Sequence, residues 1–260
     1  MADDLFSVDG KRVFITGGAA GIGRMLSEGF AERGARVYTV SRKQEVLDAF
    51  VRELKDERGL DVAAAPANLS DIQSLGGVAA AAAEHFGGAI DVLINNAGAT
   101  WGASIEEFPE QGWDRVFDLN VKALFFLTQQ CLPYLRKARE ERGDSPRVIN
   151  IGSISGLQHP MDNAWSYHPA KAAVHHLSQT LAKALAGERI TVNAIAPGLF
   201  PSRMTKHIFT GGGADAVGGF IPLGRTGQAS DIAGTAIYLA SKAGAFTTGA
   251  LIAVDGGSVL

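Results

Sequence analysis

The sequence predicts an α/β fold, a single doubly wound domain of about seven parallel strands with helices on both faces. Three observations carry that expectation. Short apolar runs of four to six residues recur along the chain, nearly continuous in character, as strands buried on both faces of a parallel sheet must be. Segments of helical period separate them, and strand alternating with helix makes right-handed βαβ units. Glycine is 32 of 260 residues, against an average of roughly 7%. The glycines gather after the apolar runs, where strand ends turn.

The strand candidates, in order, are Arg12-Val-Phe-Ile-Thr16, Arg36-Val-Tyr-Thr-Val40, Asp61-Val-Ala-Ala-Ala65, Asp91-Val-Leu-Ile-Asn95, Arg147-Val-Ile-Asn-Ile151, Ile190-Thr-Val-Asn-Ala-Ile195 and Ala250-Leu-Ile-Ala-Val254. Leu47, Phe50, Val51 and Leu54 recur at i, i+3, i+4 and i+7 and stop at Gly59, which reads as a surface helix after the second strand. Val116, Leu119, Ala123 and Leu127 make another stripe, in a long helix expected around 110–140. Leu177, Leu181 and Leu185 repeat every fourth residue in a further helix, around 165–187. The least regular stretch, 198–227, holds Gly211-Gly-Gly213 and Gly218-Gly219. A loop that long in a compact domain reads as a substrate lid, with a surface insertion as the alternative. No Pro/Ser-rich linker or charge block divides the chain, so 1–260 is read as one domain.

Composition excludes several classes. Hydrophobic residues are 46% and charged residues 20%, ordinary for a globular protein. A net charge of −3 argues against nucleic-acid or membrane partners. No apolar run approaches the roughly 18 residues of a spanning helix. The lone Cys131 makes no internal disulfide and no cysteine metal cage, which fits a reducing compartment. With an acidic start, Met1-Ala-Asp-Asp4, where a signal peptide would be basic, the expected location is the cytoplasm. His175-His176 has no third ligand at metal spacing and is expected on a helix surface or a subunit contact. No metal site is expected.

The first strand runs into Thr16-Gly-Gly-Ala-Ala-Gly-Ile-Gly23 and then a helical segment. In a Rossmann-like unit this turn lets backbone approach a pyrophosphate at a helix N-terminus. A side chain at Gly17, Gly21 or Gly23 would block the turn, the phosphate or the helix–strand packing.

Tyr167 and Lys171 are four apart and share a helix face. Pro169 between them places both near the first turn of that helix. A free tyrosine, with a pKa near 10, is a poor acid–base group at neutral pH. A nearby ammonium favours the phenolate and is expected to bring that pKa down. Ser153, just past the fifth strand, is expected at the same cleft, because ligands of open α/β sheets bind outside the carboxyl ends of the strands. Asn120 is the polar exception in its apolar stripe, and a buried amide needs partners.

The spacing Gly-x-x-x-Gly-x-Gly after Thr16, Asn95-Asn-Ala-Gly98 after the fourth strand, the set Asn120, Ser153, Tyr167 and Lys171, Pro197-Gly198 after the sixth strand and the closing Val254-Asp-Gly-Gly257 together resemble the short-chain dehydrogenase/reductase family, across almost the whole chain. The resemblance implies a dinucleotide held by Gly17, Gly21, Ile22, Gly23, Ser41, Arg42, Asn68, Leu69, Asn96, Ala97, Gly98, Tyr167, Lys171, Pro197, Gly198, Phe200 and Ser202. It implies that Lys171 also binds the nicotinamide ribose, that Asn120 holds a water joining that lysine to solvent, and that Phe200 and Ser202 approach the nicotinamide. It also implies a homotetramer, or failing that a homodimer.

Ser41-Arg42-Lys43 at the end of the second strand offers a guanidinium where an acidic residue would grip a ribose and repel a 2′-phosphate. NADP(H) is therefore expected, with NAD(H) as the alternative. Ala20, where many NADP-using relatives carry a second basic residue, and Asn68, where the family usually has aspartate, are departures. Within the family the chain resembles β-ketoacyl (3-oxoacyl) reductases of the rhamnolipid type, at Asn95-Asn-Ala-Gly-Ala-Thr-Trp-Gly102 and Ala196-Pro-Gly-Leu-Phe-Pro-Ser-Arg-Met-Thr205. The expected activity is reduction of a small-molecule ketone, of the 3-oxoacyl or a related type. The alternatives are an alcohol, sugar or steroid dehydrogenase using NAD(H), or a non-catalytic dinucleotide sensor. His159 and His168, flanking the catalytic segment, are candidates for substrate contact.

Overall fold

The computed structural model describes residues 4–158, 162–202, 205 and 218–260. His159 and the expected lid residues 203–204 and 206–217 lie outside them. Among the described residues, seven strands form one parallel sheet. They are β1 (Arg12–Thr16), β2 (Arg36–Ser41), β3 (Val62–Pro66), β4 (Val92–Asn95), β5 (Arg147–Ile151), β6 (Thr191–Pro197) and β7 (Leu251–Val254). Their order is β3-β2-β1-β4-β5-β6-β7. The chain starts at β1 near the middle, winds outward through β2 and β3, then returns to β4 and winds the other way. All carboxyl ends therefore face one edge, and the crevice between β1 and β4 opens where the winding reverses.

The helices are α1 (Gly21–Ala31), α2 (Gln44–Val51), α3 (Leu75–His85), α4 (Glu110–Phe117), α5 (Ala123–Arg142), α6 (Tyr167–Leu185) and α7 (Ala229–Ala240). They cover the sheet in two layers. Leu26, Phe30, Leu47, Phe50, Leu54, Ile232 and Ile237 pack one face, with Val13, Ile15 and Ile149 of the strands. Leu75, Ala79, Ala82, Leu127, Cys131 and Leu135 pack the other, with Phe14, Leu93 and Val148. Phe14 and Ile15 point to opposite layers, as the period of two in a strand requires. Among the described residues no helix is long and apolar enough to cross a membrane.

Two stretches depart from the expected regular helices. Residues Arg52–Glu57 and Asp118–Lys122 wind with the wider π pattern, a form that concentrates at functional sites. The second links α4 to α5 and carries Asn120. On α6 the buried face is Lys171, Val174, His175, Ser178, Ala182 and Leu185. Leu177 and Leu181 of the expected stripe are only half-buried, so the helix is rotated relative to the leucine reading. His175 is buried rather than on the surface, a correction to the sequence expectation. The leucine period marked the edge of the buried face instead of its centre, because that centre is filled by polar and small side chains.

Candidate active site

The glycine turn joins β1 to α1 at the carboxyl edge. Gly17 and Gly21 have φ of 67° and 53°, in the left-handed region that side chains resist. A Cβ on Gly23 would fall 2.2 Å from the Gly17 carbonyl oxygen and 2.4 Å from Asn96 Nδ2, so the helix can approach the turn only with glycine there. The turn is tied to β2, with Gly17 N–H donating to the Val40 carbonyl and Gly18 N–H to Thr39 Oγ1 at 2.7 Å. It is also tied to β4. Asn96 Nδ2 donates to the Thr16 carbonyl, while the N–H groups of Asn96 and Ala97 both donate to Thr16 Oγ1 at 2.9 Å. Ala20 caps α1 without a side-chain hydrogen bond, and no acidic residue occupies the first turn. The first N–H groups of the helix are thus left for an anion. This cradle fits a dinucleotide pyrophosphate.

The sequence candidates gather around it to different degrees. Arg42, just past β2, is exposed, and none of the ion pairs among the described residues uses it. Ser41 accepts the Ala67 N–H on its carbonyl. Asn68 is exposed and accepts the Ser70 N–H on its side chain, whereas Leu69 is buried beside Thr16 and Ala97. Ile22 is half-buried in the first turn of α1. Ser202 stands opposite the turn, its Cβ 3.2 Å from where a Gly21 Cβ would be. Pro197 and Gly198 close β6, and a side chain on Gly198 would strike Asp255. Phe200 is the exception. Its ring is buried in the core and fills the space where Gly227 has no side chain, so only its backbone remains for the cleft.

A second cluster surrounds Gly98. A Cβ there would stand 3.3 Å from Asn120 Oδ1 and 3.8 Å from Lys171 Nζ. Asn120 clamps the loop after β4 at both ends of its amide, accepting the Ala99 N–H at 2.8 Å and donating to the Ala99 carbonyl at 3.0 Å. Lys171, 5% exposed, donates from Nζ to the Ile151 carbonyl at 2.8 Å. Burial brings its pKa down to about 8. Nζ lies 5.6 Å from the centroid of the Tyr167 ring.

Tyr167 is the first residue of α6, as Pro169 required. Its pKa lies above the ordinary value. Burial raises it, hydrogen bonding with Ser153 lowers it, and the charge of Asp162 raises it again. Burial sets the direction here, so the sequence expectation of a pKa brought down by Lys171 is corrected. Ser153 caps the short 3₁₀ turn Ile154–Gly156, its Oγ accepting the Ser155 N–H at 3.1 Å. That bond occupies an oxygen lone pair and leaves the hydroxyl proton to be donated on the Tyr167 side. His168 meets Asp162 at 2.7 Å, and its ring lies 6.0 Å from that of Tyr167.

Sequence reasoning missed His175. Its Nε2 accepts the Ser153 N–H at 3.4 Å, directly beneath the serine. The signal was present, since Tyr167, Lys171 and His175 are spaced by four along one helix.

The site's relatives carry similar chemistry. The family profile described as enoyl-(acyl carrier protein) reductase matches residues 17–258. The chain is 44% identical over 253 residues to the rhamnolipids biosynthesis 3-oxoacyl-[acyl-carrier-protein] reductase of Pseudomonas aeruginosa, covering 97% of each chain. It is 35% identical over 265 residues to 5-keto-D-gluconate 5-reductase of Escherichia coli, covering 99% of each. Among solved structures it resembles the Pseudomonas aeruginosa RhlG/NADP active-site complex, with a TM-score of 0.92, 43% identity and 99% of each chain covered.

Proposed function

The chain belongs to the short-chain dehydrogenase/reductase family, and from that premise we propose that it is an NADP(H)-dependent oxidoreductase, an enzyme that interconverts a ketone and a secondary alcohol. The observation that carries the reading is the meeting of Ser153, Tyr167 and Lys171 at the carboxyl edge of the sheet, beside a glycine cradle that fits a pyrophosphate.

When bound, the dinucleotide supplies or accepts the hydride. The protein's own residues handle position and proton. Gly17, Gly21, Ile22 and Gly23 present backbone to the pyrophosphate, with Asn96, Ala97 and Gly98 forming the opposite wall. Arg42, exposed and in no ion pair among the described residues, answers a 2′-phosphate with charge-assisted hydrogen bonds. Ser41, Asn68 and Leu69 frame the adenine end, and Pro197, Gly198, Ser202 and the Phe200 backbone the nicotinamide end. NADP in the RhlG complex supports this assignment.

Tyr167 gives its phenolic proton to the substrate oxygen as negative charge develops there. Its raised pKa keeps the phenol protonated at neutral pH, the form that reduction requires. Ser153 Oγ donates a hydrogen bond to the same oxygen. Lys171, with a pKa of about 8, is still mostly charged at neutral pH. Its ammonium balances the phenolate left after transfer and offers a donor to a ribose hydroxyl. Asn120 holds Gly98 and Ala99 in place, and its Oδ1 has a second lone pair for a water on the lysine side.

The substrate class that best suits these relatives is a 3-oxoacyl or related carbonyl compound. A homotetramer or homodimer is supported by the half-buried Phe125, Phe126, Leu177 and Leu181 and by the exposed Trp113. A cytoplasmic location is supported by the single cysteine, Cys131, which allows no internal disulfide. The test of function is a panel of ketones and 3-oxoacyl thioesters with NADPH and NADH, followed at the nicotinamide absorbance band. Turnover with NADPH that is lost in Ser153→Ala is expected. No turnover across the panel would favour a dinucleotide sensor.

A further inference from the structure

The Ser153 turn rests on a histidine that the proton-transfer chemistry leaves unused. His175 follows Lys171 by one helical turn on the buried face of α6, and its Nε2 accepts the backbone N–H of Ser153. The ring is wedged under the turn on both sides. A Cβ on Gly152 would fall 2.2 Å from Nε2, and one on Gly156 would fall 2.7 Å from Cε1. Gly152 itself donates its N–H to the Ile195 carbonyl at 2.7 Å, so the backbone above the ring is pinned between β6 and α6. These two glycines make the seat that admits an imidazole.

An imidazole in this seat has one workable form. The Ser153 N–H needs a lone pair on Nε2, so the ring proton of the neutral form sits on Nδ1, which has no hydrogen-bond partner among the described residues. Burial, then the nearby Lys171 charge, push the ring's pKa down to about 4. The acceptor is thus retained at neutral pH beside a cationic neighbour, which would repel a second positive charge.

We propose that His175 is a positioning residue for Ser153: its neutral imidazole, seated between Gly152 and Gly156, fixes the serine backbone so that Oγ meets the substrate oxygen beside Tyr167. The inference rests on the oxidoreductase reading above and adds a residue to it. Its action goes through Ser153, with no contact to substrate required.

Two variants separate the acceptor from the volume. His175→Gln puts Oε1 the same number of bonds from Cβ as Nε2, while His175→Leu fills space without an acceptor. His175→Leu is expected to lower kcat roughly 10–100-fold, the scale of a misplaced catalytic group, with the NADPH KM little changed. His175→Gln should recover most of the loss. Independently, a long-range ¹H–¹⁵N spectrum of imidazole-labelled protein at neutral pH should show His175 uncharged and protonated on Nδ1. A ring protonated on Nε2, or equal kcat in the two variants, would overturn the inference. Should His175→Leu not fold, the imidazole spectrum decides alone. If Ser153→Ala loses activity but His175→Leu keeps it, the positioning role fails and the function stands. If Ser153→Ala keeps activity, both fall.

Discussion

The two ends of the sheet both bury charge, and they treat it in opposite ways. At the amino edge, Arg12 grips Asp91 through Nε and Nη2, each at 3.0 Å, and gives its backbone N–H to the same carboxylate. Arg142 adds a second cation to Asp91 and Glu141 a second anion to Arg12. Asp144 joins Lys11 to Arg147 close by. At the carboxyl edge, Lys171 has a carbonyl instead of a carboxylate, Tyr167 is held above its ordinary pKa and His175 below its own. Buried charges that are paired serve structure, whereas perturbed and uncompensated groups in a cleft mark chemistry. The fold concentrates its electrostatic strain where the reaction is proposed.

The sharpest way to break this contrast is at the phenol. Tyr167→Phe removes the proton donor and almost no volume. Turnover should fall by roughly 10²–10⁴-fold, the contribution of a positioned acid, with the cofactor Kd nearly unchanged by fluorescence titration and the thermal midpoint unmoved. A variant keeping most of the wild-type kcat, with chemistry rate-limiting, would leave the carboxyl edge without its acid.

The matching experiment at the amino edge is Asp91→Ala. It takes from the buried Arg12 guanidinium its best-buried partner and leaves it only Glu141, so the cost lies somewhat below that of a buried pair broken completely, at about 2–4 kcal/mol. For a chain of this size that lowers Tm by roughly 4–16 °C. The folded fraction should keep its kcat, because no amino-edge group reaches the site. A large kcat loss with unchanged Tm would mean that the two edges are not separate.

How far the sequence alone reveals each edge follows from the kind of signal involved. β1 and β5 lie where their apolar runs put them, residue for residue, because strands buried on both faces show little else. Tyr167 at the start of α6 was legible through Pro169. The glycine turn was legible because positive φ and close approach leave a residue-level mark. The π segments were not, since apolar spacing cannot separate a short wide turn from an α turn. His175 was hidden for a related reason. The leucines defined a face, but the helix buries the neighbouring polar one. The direction of the Tyr167 shift was misjudged because spacing shows that Lys171 is near, not that the phenol is buried deeply enough for desolvation to dominate.

A third test asks whether the exposed cation just past β2 belongs with the chemistry or with the surface. Arg42→Asp should raise KM for NADPH far more than for NADH. It removes a charge-assisted contact and adds a repelling carboxylate, worth on the order of 2–4 kcal/mol together. Steady-state kinetics with both cofactors checks it. Equal effects on the two would make Arg42 an ordinary surface charge, and a wild-type preference for NADH would refute the NADP(H) assignment.

The smallest expected effect measures the strain at the carboxyl edge directly. Lys171 has a folded pKa of about 8, below the roughly 10.4 of a free lysine. Below pH 8 both folded and unfolded chains carry its proton, and folding must bury a charge. Between about pH 8 and 10.4 the unfolded chain binds more protons than the folded one, so stability rises with pH across that window. A pKa depressed by two units or more corresponds to about 3 kcal/mol, reduced by the lost bond to Ile151 when the amine is removed. Lys171→Met, without cofactor, should therefore be more stable than wild type at pH 7 by about 1–3 kcal/mol. The advantage should shrink as the pH approaches 10, while catalysis is lost throughout. Denaturant unfolding of both proteins across that range reads it. A gap that is absent at pH 7, or that widens with pH, would show that the lysine is paired in the folded protein as securely as Arg12 is at the other edge.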